Sequence, residues 1–143
     1  MKLQERKLQK RHAVLVVALL LALVTLPAFA EEIVAQGSEW DKRNATIEGD
    51  WKIVERDGGL VLVLGEGFKT KKAPDLKAFL VSLPPTAVGK SEIPANAARI
   101  GLLKSAKGAQ ELEIPDLTSL DGYRALVIHC EQYSKVWAVT SLR

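Results

Sequence analysis

Past residue 46 the chain reads as short runs in which apolar and polar positions alternate, separated by glycine and proline. Ile47, Gly49, Trp51 and Ile53 fall on one side of an extended backbone, with Thr46, Glu48, Asp50 and Lys52 on the other. A period of two is that of a strand with one buried face, and it makes Trp51 a core residue. Asp57-Gly58-Gly59 is a turn signal between this strand and Leu60–Leu64, whose unbroken branched and apolar residues predict a strand covered on both faces, the two forming a hairpin. Gly65-Glu66-Gly67 ends that strand. Lys69, Lys71 and Lys72 then make a basic loop, read as a solvated surface, with docking of an acidic partner or anion as the functional alternative.

Asp75–Leu83 is a further strand, closed by Pro84-Pro85. Thr86–Ala98 has no sustained period and reads as a long loop, with room for half a turn of helix at Ala95–Ala98. Arg99–Leu103 resumes the extended pattern, and a turn over Lys104–Gly108 follows. In Gln110–Ile114, Leu112 and Ile114 point one way and Glu111 and Glu113 the other, an amphipathic strand at an edge where Pro115 is tolerated. Asp116–Gly122 has room for one turn of helix. Tyr123–Leu142 then reads as a C-terminal hairpin. Its first strand places Leu126, Ile128 and Cys130 on one face and Ala125, Val127 and His129 on the other, an interior strand with Cys130 at its end.

About seven short strands at spacings near ten residues predict an all-β fold, a single β-sandwich or barrel-like domain of antiparallel strands. Residues 44–143 carry this pattern, and residues 31–43 are polar and mixed enough to read as a loose N-terminal lead-in. Residues 1–30 have a different character. A basic start (Lys2, Arg6, Lys7, Lys10, Arg11), an apolar stretch from Ala13 to Leu26 and small residues in Ala28-Phe29-Ala30 form the layout of a signal peptide cleaved after Ala30. The alternative is an uncleaved membrane anchor, although the apolar run falls short of the roughly 20 residues a spanning helix prefers. The expected location is outside the cytoplasm, periplasmic or extracellular, with no membrane attachment once the peptide is removed.

That division changes the charge picture. The whole chain has 20 Lys+Arg and 17 Asp+Glu, but residues 31–143 hold 15 and 16, so the basic balance belongs to the N-terminal segment and implies no nucleic-acid partner. Asn44-Ala45-Thr46 matches a glycosylation acceptor, which has meaning only in a eukaryotic host.

Candidate chemistry is sparse. Cys130 is the only cysteine of the chain and His129 the only histidine beyond residue 30. One thiol closes no intramolecular disulfide and has no resolving partner, which disfavours two-thiol exchange. Adjacent strand residues point apart, so Cys130 and His129 make neither a nucleophile–base pair nor two ligands of one metal ion. A covalent haem site needs C-x-x-C-H, which is absent, and Met1 is the only methionine. No cofactor is required by the sequence, and a bound haem or metal is the minor alternative. Tyr133, Trp137 and Trp51 are candidate aromatic neighbours of the sulfur.

The ordered series Gly49; Leu60–Leu64 with Gly67-Phe68; Ala73-Pro74-Asp75-Leu76-Lys77-Ala78-Phe79-Leu80; Ile100-Gly101-Leu102-Leu103-Lys104; Gly108-Ala109-Gln110; Ile114-Pro115; Leu120-Asp121-Gly122-Tyr123; and Val127–Trp137 resembles the DM-thirteen domain family. This is the Skeletor-type module often found beside DOMON domains and proposed to transfer electrons. The resemblance spans nearly all of residues 31–143 and implies an exported β-sandwich-like domain with Cys130 as its redox position. It also implies a redox partner protein such as a DOMON-type cytochrome domain. Two departures stand out: His129 occupies the place before the cysteine where the family often has tryptophan, and Trp137-Ala138-Val139-Thr140 replaces an ending with a Phe-Gly pair. The reading is therefore an electron-transfer or redox module using Cys130, with His129, Tyr133 and Trp137 near the site and no recognisable substrate pocket. Its competitor is a non-catalytic binding or structural module whose cysteine is a buried, inert hydrophobe.

Overall fold

The computed structural model describes residues 31–143, which form β1 (Glu32–Gly37), β2 (Asp41–Lys42), β3 (Ile47–Glu48), β4 (Trp51–Arg56), β5 (Gly59–Leu64), β6 (Lys69–Thr70) and β7 (Leu76–Val81), then β8 (Ala98–Leu102), β9 (Gln110–Ile114), β10 (Ala125–Cys130) and β11 (Lys135–Ser141). The signal-peptide assignment lies outside the described residues. With 48% of the described residues in strands and 3% in helix, the fold is all-β. A four-stranded sheet in the order β1-β4-β5-β9 faces a five-stranded sheet in the order β2-β11-β10-β7-β8, and β3 and β6 form a small third sheet. The paired strands are antiparallel, as expected for a sandwich joined by short turns.

The β4–β5 turn follows from its residues. Asp57 and Gly58 both adopt positive φ, 54° and 77°, the conformation of a two-residue turn whose twist matches that of the strands, and Arg56 is left opposite Gly59. Alternation then sorts the side chains. Ile53, Leu60, Leu62, Leu64, Leu112 and Ile114 of one sheet meet Leu76, Ala78, Leu80, Leu126, Ile128 and Cys130 of the other in the main core.

A second, smaller cluster lies on the opposite face of the five-stranded sheet, where Val81, Ala125, Val127, Val136 and Val139 pack with Val88, Ile93 and Ala97 of the long loop. That loop explains why every residue of β7 and β10 is buried. Side chains hold it down through its backbone: Arg43 donates to the carbonyls of Val88 (3.0 Å) and Pro85 (2.7 Å), and Asn44 donates to that of Lys90 in the loop and that of Val136 in β11 (2.7 Å each). Both amide hydrogens of Asn44 are thus committed, and a glycan on that nitrogen would displace one of these bonds.

Five expectations need correction. Residues 31–43 are not a loose lead-in, because Glu32–Gly37 pairs with β4 along its length; a bulge between Ile33 and Ala35 breaks the period that would have announced the strand. The strand expected from Ile47 to Ile53 is two, divided at Gly49, whose φ of 97° turns the chain where a Cβ would lie 2.5 Å from the Gly67 carbonyl carbon. Residues 116–122 form turns rather than a helical turn, and Ala98 begins β8 instead of closing a half-turn of helix. The strand count of about seven omitted β1 and the two-residue strands β2, β3 and β6.

Candidate functional site

Cys130 is the last residue of β10, opposite Leu76 of β7 and Lys135 of β11. It faces the main core with no accessible surface. Beyond it Glu131–Ser134 make the hairpin turn, closed by the Ser134 amide on the Glu131 carbonyl (3.1 Å) with Ser134 at a φ of 47°. The sealed sulfur therefore belongs to the residue directly before an exposed turn.

That end of the hairpin is fastened to the start of β7. The Glu131 amide donates to the Asp75 carbonyl (3.2 Å), and the Lys77 ammonium bridges Asp75 (3.0 Å) and the Glu131 carboxylate. Lys77 is only 9% exposed, and its hydrogen bonds first to Glu131 and then to Asp75 raise its pKa by favouring the charged form.

His129 lies on the other face, as the alternation requires. Its Nε2 is 2.9 Å from the Ser91 carbonyl, which only accepts, so Nε2 carries the proton and the ring pins the long loop. Nδ1 is then a buried acceptor without a partner. The ring meets Phe79 edge to face, with centroids 6.0 Å apart. His129 and Cys130 thus share no site.

The three aromatic candidates separate. Tyr133 stands at the turn, 56% exposed. Trp51 is buried in the core, where its indole donates to the Thr140 hydroxyl (3.2 Å). Thr140 is opposite Leu126, four residues along β10 from Cys130, or about 13 Å at the rise of a strand. Of the two tryptophans, Trp137 belongs to the Cys130 end. The β10–β11 register skips from Ile128–Ala138 to His129–Val136, leaving Trp137 as the extra residue of a bulge. Its side chain joins the cluster that contains Cys130, and its indole donates to the Lys71 carbonyl (3.3 Å). Its own carbonyl, released from the ladder, accepts the amides of Arg43, Asn44 and Ala45 at 3.0, 3.1 and 3.2 Å. The bulge had no signal in the sequence, since Lys135–Leu142 reads equally well as an unbroken strand.

Among the described residues no group of three or more His, Cys, Asp or Glu is placed to hold a metal ion. A shallow depression of about 530 Å³ runs along β5 and β9 beside Arg56 and Glu111, and neither Cys130 nor His129 lines it. Direct attack on or by the sulfur therefore requires the hairpin end to open. Electron transfer through packed side chains does not.

No curated protein and no solved structure matches the chain. One family does, described as "Electron transfer DM13", over residues 40–142. The match runs from just before β2 to just past β11 and takes in every strand but β1, with the Trp137 bulge and Cys130; the chain belongs to the DM13 family.

Proposed function

We propose that the domain is an exported electron-transfer module, without a substrate pocket, in which the thiol of Cys130 is the redox position and a haem protein, such as a DOMON-type cytochrome domain, exchanges electrons with it. The observation that carries this reading is membership of a family described by electron transfer, together with a lone sulfur buried in one cluster with Trp137.

Burial restricts the chemistry. With no second thiol and no accessible surface, exchange of a disulfide at Sγ is closed in the folded state. A one-electron couple is compatible with burial: the sulfur gives one electron to an oxidised partner, its S–H bond loses the proton, and a thiyl radical remains until an electron and a proton return. The facing Leu76 and Ile128 side chains accept no proton, so it leaves when the Cys130–Lys135 pair at the hairpin end opens to water.

A second reading is favoured by one specific observation. Cys130 has zero exposure in an apolar cluster, as a purely structural cysteine does, and the domain would then be a binding or structural module of the cell envelope or extracellular space. Titration with hexachloroiridate(IV), a strong outer-sphere one-electron oxidant, separates the two. Electron transfer predicts about one equivalent more consumed per folded wild-type chain than per folded Cys130→Ser chain. Equal consumption by both proteins would assign the function to the second reading.

A further inference from the structure

Two loops at the Cys130 end of the sandwich are bonded side by side: the Thr70 amide donates to the Ala106 carbonyl (2.9 Å) and the Gly108 amide to the Phe68 carbonyl (2.8 Å). They present Lys69, Lys71, Lys72, Lys104 and Lys107, all exposed. Lys69 and Lys107 stand directly opposite one another in a bridge, an arrangement that works against stability when the charges are alike. Glu48 flanks Lys69 across β3–β6, and Glu111 lies near Lys104 but is engaged by Arg56. Among the described residues none of the five lysines is in an ion pair. Residues 31–143 hold 15 basic and 16 acidic groups, so setting these five aside leaves ten basic against sixteen acidic. The domain is nearly neutral but strongly polarised.

The position of the patch gives it meaning. Lys71 supplies the carbonyl that receives the Trp137 indole, and Leu103, next to Lys104, donates its amide to the carbonyl of Leu76, the residue opposite Cys130. The lysines therefore rim the surface nearest the Trp137 side of the buried sulfur.

We propose that this five-lysine face is the docking surface for a redox protein whose own contact surface is acidic, seated over Lys71 and Trp137. The proposal rests on the electron-transfer reading and adds the chemistry of the partner and its place of contact. Charge complementarity of this kind raises the association rate and orients the encounter while leaving the complex short-lived, which suits a carrier that must release its partner.

The probe is ferric cytochrome b5, an acidic haem protein, titrated into the isotope-labelled domain at low ionic strength, with basic cytochrome c and a short DNA duplex as controls. Amide shifts are expected on residues 68–72 and 103–109, shrinking as salt is added. The double variant Lys71→Glu/Lys107→Glu, whose spectrum shows it folded, is expected to lower the affinity roughly tenfold or more. Arg124→Glu with Arg143→Glu, at the opposite end of the β10–β11 hairpin from Cys130, is expected to leave it unchanged. Absent shifts, shifts scattered over the other lysines, equal binding of cytochrome c, or tighter binding of the duplex would each overturn the proposal. Cys130→Ser is expected to dock as the wild type does, so a silent thiol would remove the redox reading without touching the mapped surface.

Discussion

At the scale of single residues, the sulfur and the ion pair beside it make separate demands. Cys130→Ser places a hydroxyl among the apolar side chains of the main core, and a buried unsatisfied hydroxyl costs about 1–3 kcal/mol. We expect the variant to fold with a urea midpoint lowered accordingly, because Ser is close to isosteric and the ladder bonds of β10 are backbone bonds. Lys77 behaves differently. Its folded pKa lies above the ordinary value of 10.5, so its contribution to stability is fully present below that value and is lost as pH rises through the folded pKa. Stability measured from pH 8 upward should fall on the alkaline side in the wild type, and Lys77→Met should flatten that limb. Cys130 also shows what alternation can and cannot tell. Period two placed it with Leu126 and Ile128 on one face, but whether that face was sealed depended on the opposing sheet, which no local pattern encodes.

At the scale of elements, the backbone is most constrained where strands meet turns. Gly49 at a φ of 97° passes so close to Gly67 that Gly49→Ala must move backbone, and we expect a loss of roughly 2–4 kcal/mol in a denaturant melt. Glu31 and Glu111 are held below their ordinary 4.5 by bonds to Lys52 and Arg56, and to Arg56, respectively. Stability from these pairs is present above 4.5 and lost as pH falls through the depressed values; being exposed, they contribute modestly. Arg56→Gln should shrink the stability change between pH 5 and pH 2 as read by thermal melting. The elements that were legible in the sequence are those whose pattern and turn chemistry agreed. Gln110–Ile114 alternates in the structure as its residues do, and Asp57-Gly58 makes the turn its residues favour. Glu32–Gly37 escaped because a bulge shifts its period, and the single strand expected from Ile47 to Ile53 failed because Gly49 fits the alternation while its conformation breaks it.

At the scale of the molecule, a sandwich with a second apolar layer supports β10 from both sides. The long loop carries no period of its own, so its docking on Val127, Val136 and Val139 was invisible until Arg43, Asn44 and His129 were seen holding its carbonyls. The same arrangement puts the sulfur, Trp137 and the lysine loops at one end, residues spread from 69 to 137 that only topology unites. Export is a proposal at this scale too: intact mass of the protein recovered from its own compartment should correspond to a chain beginning at Glu31.

The central claim is that one buried sulfur is the redox position of an electron-transfer module. Voltammetry of the folded protein, compared with folded Cys130→Ser under the same conditions, tests it most directly. We predict a reversible one-electron wave in the wild type that is missing from the variant. A wave that survives the substitution, or no wave in either protein, would contradict the account.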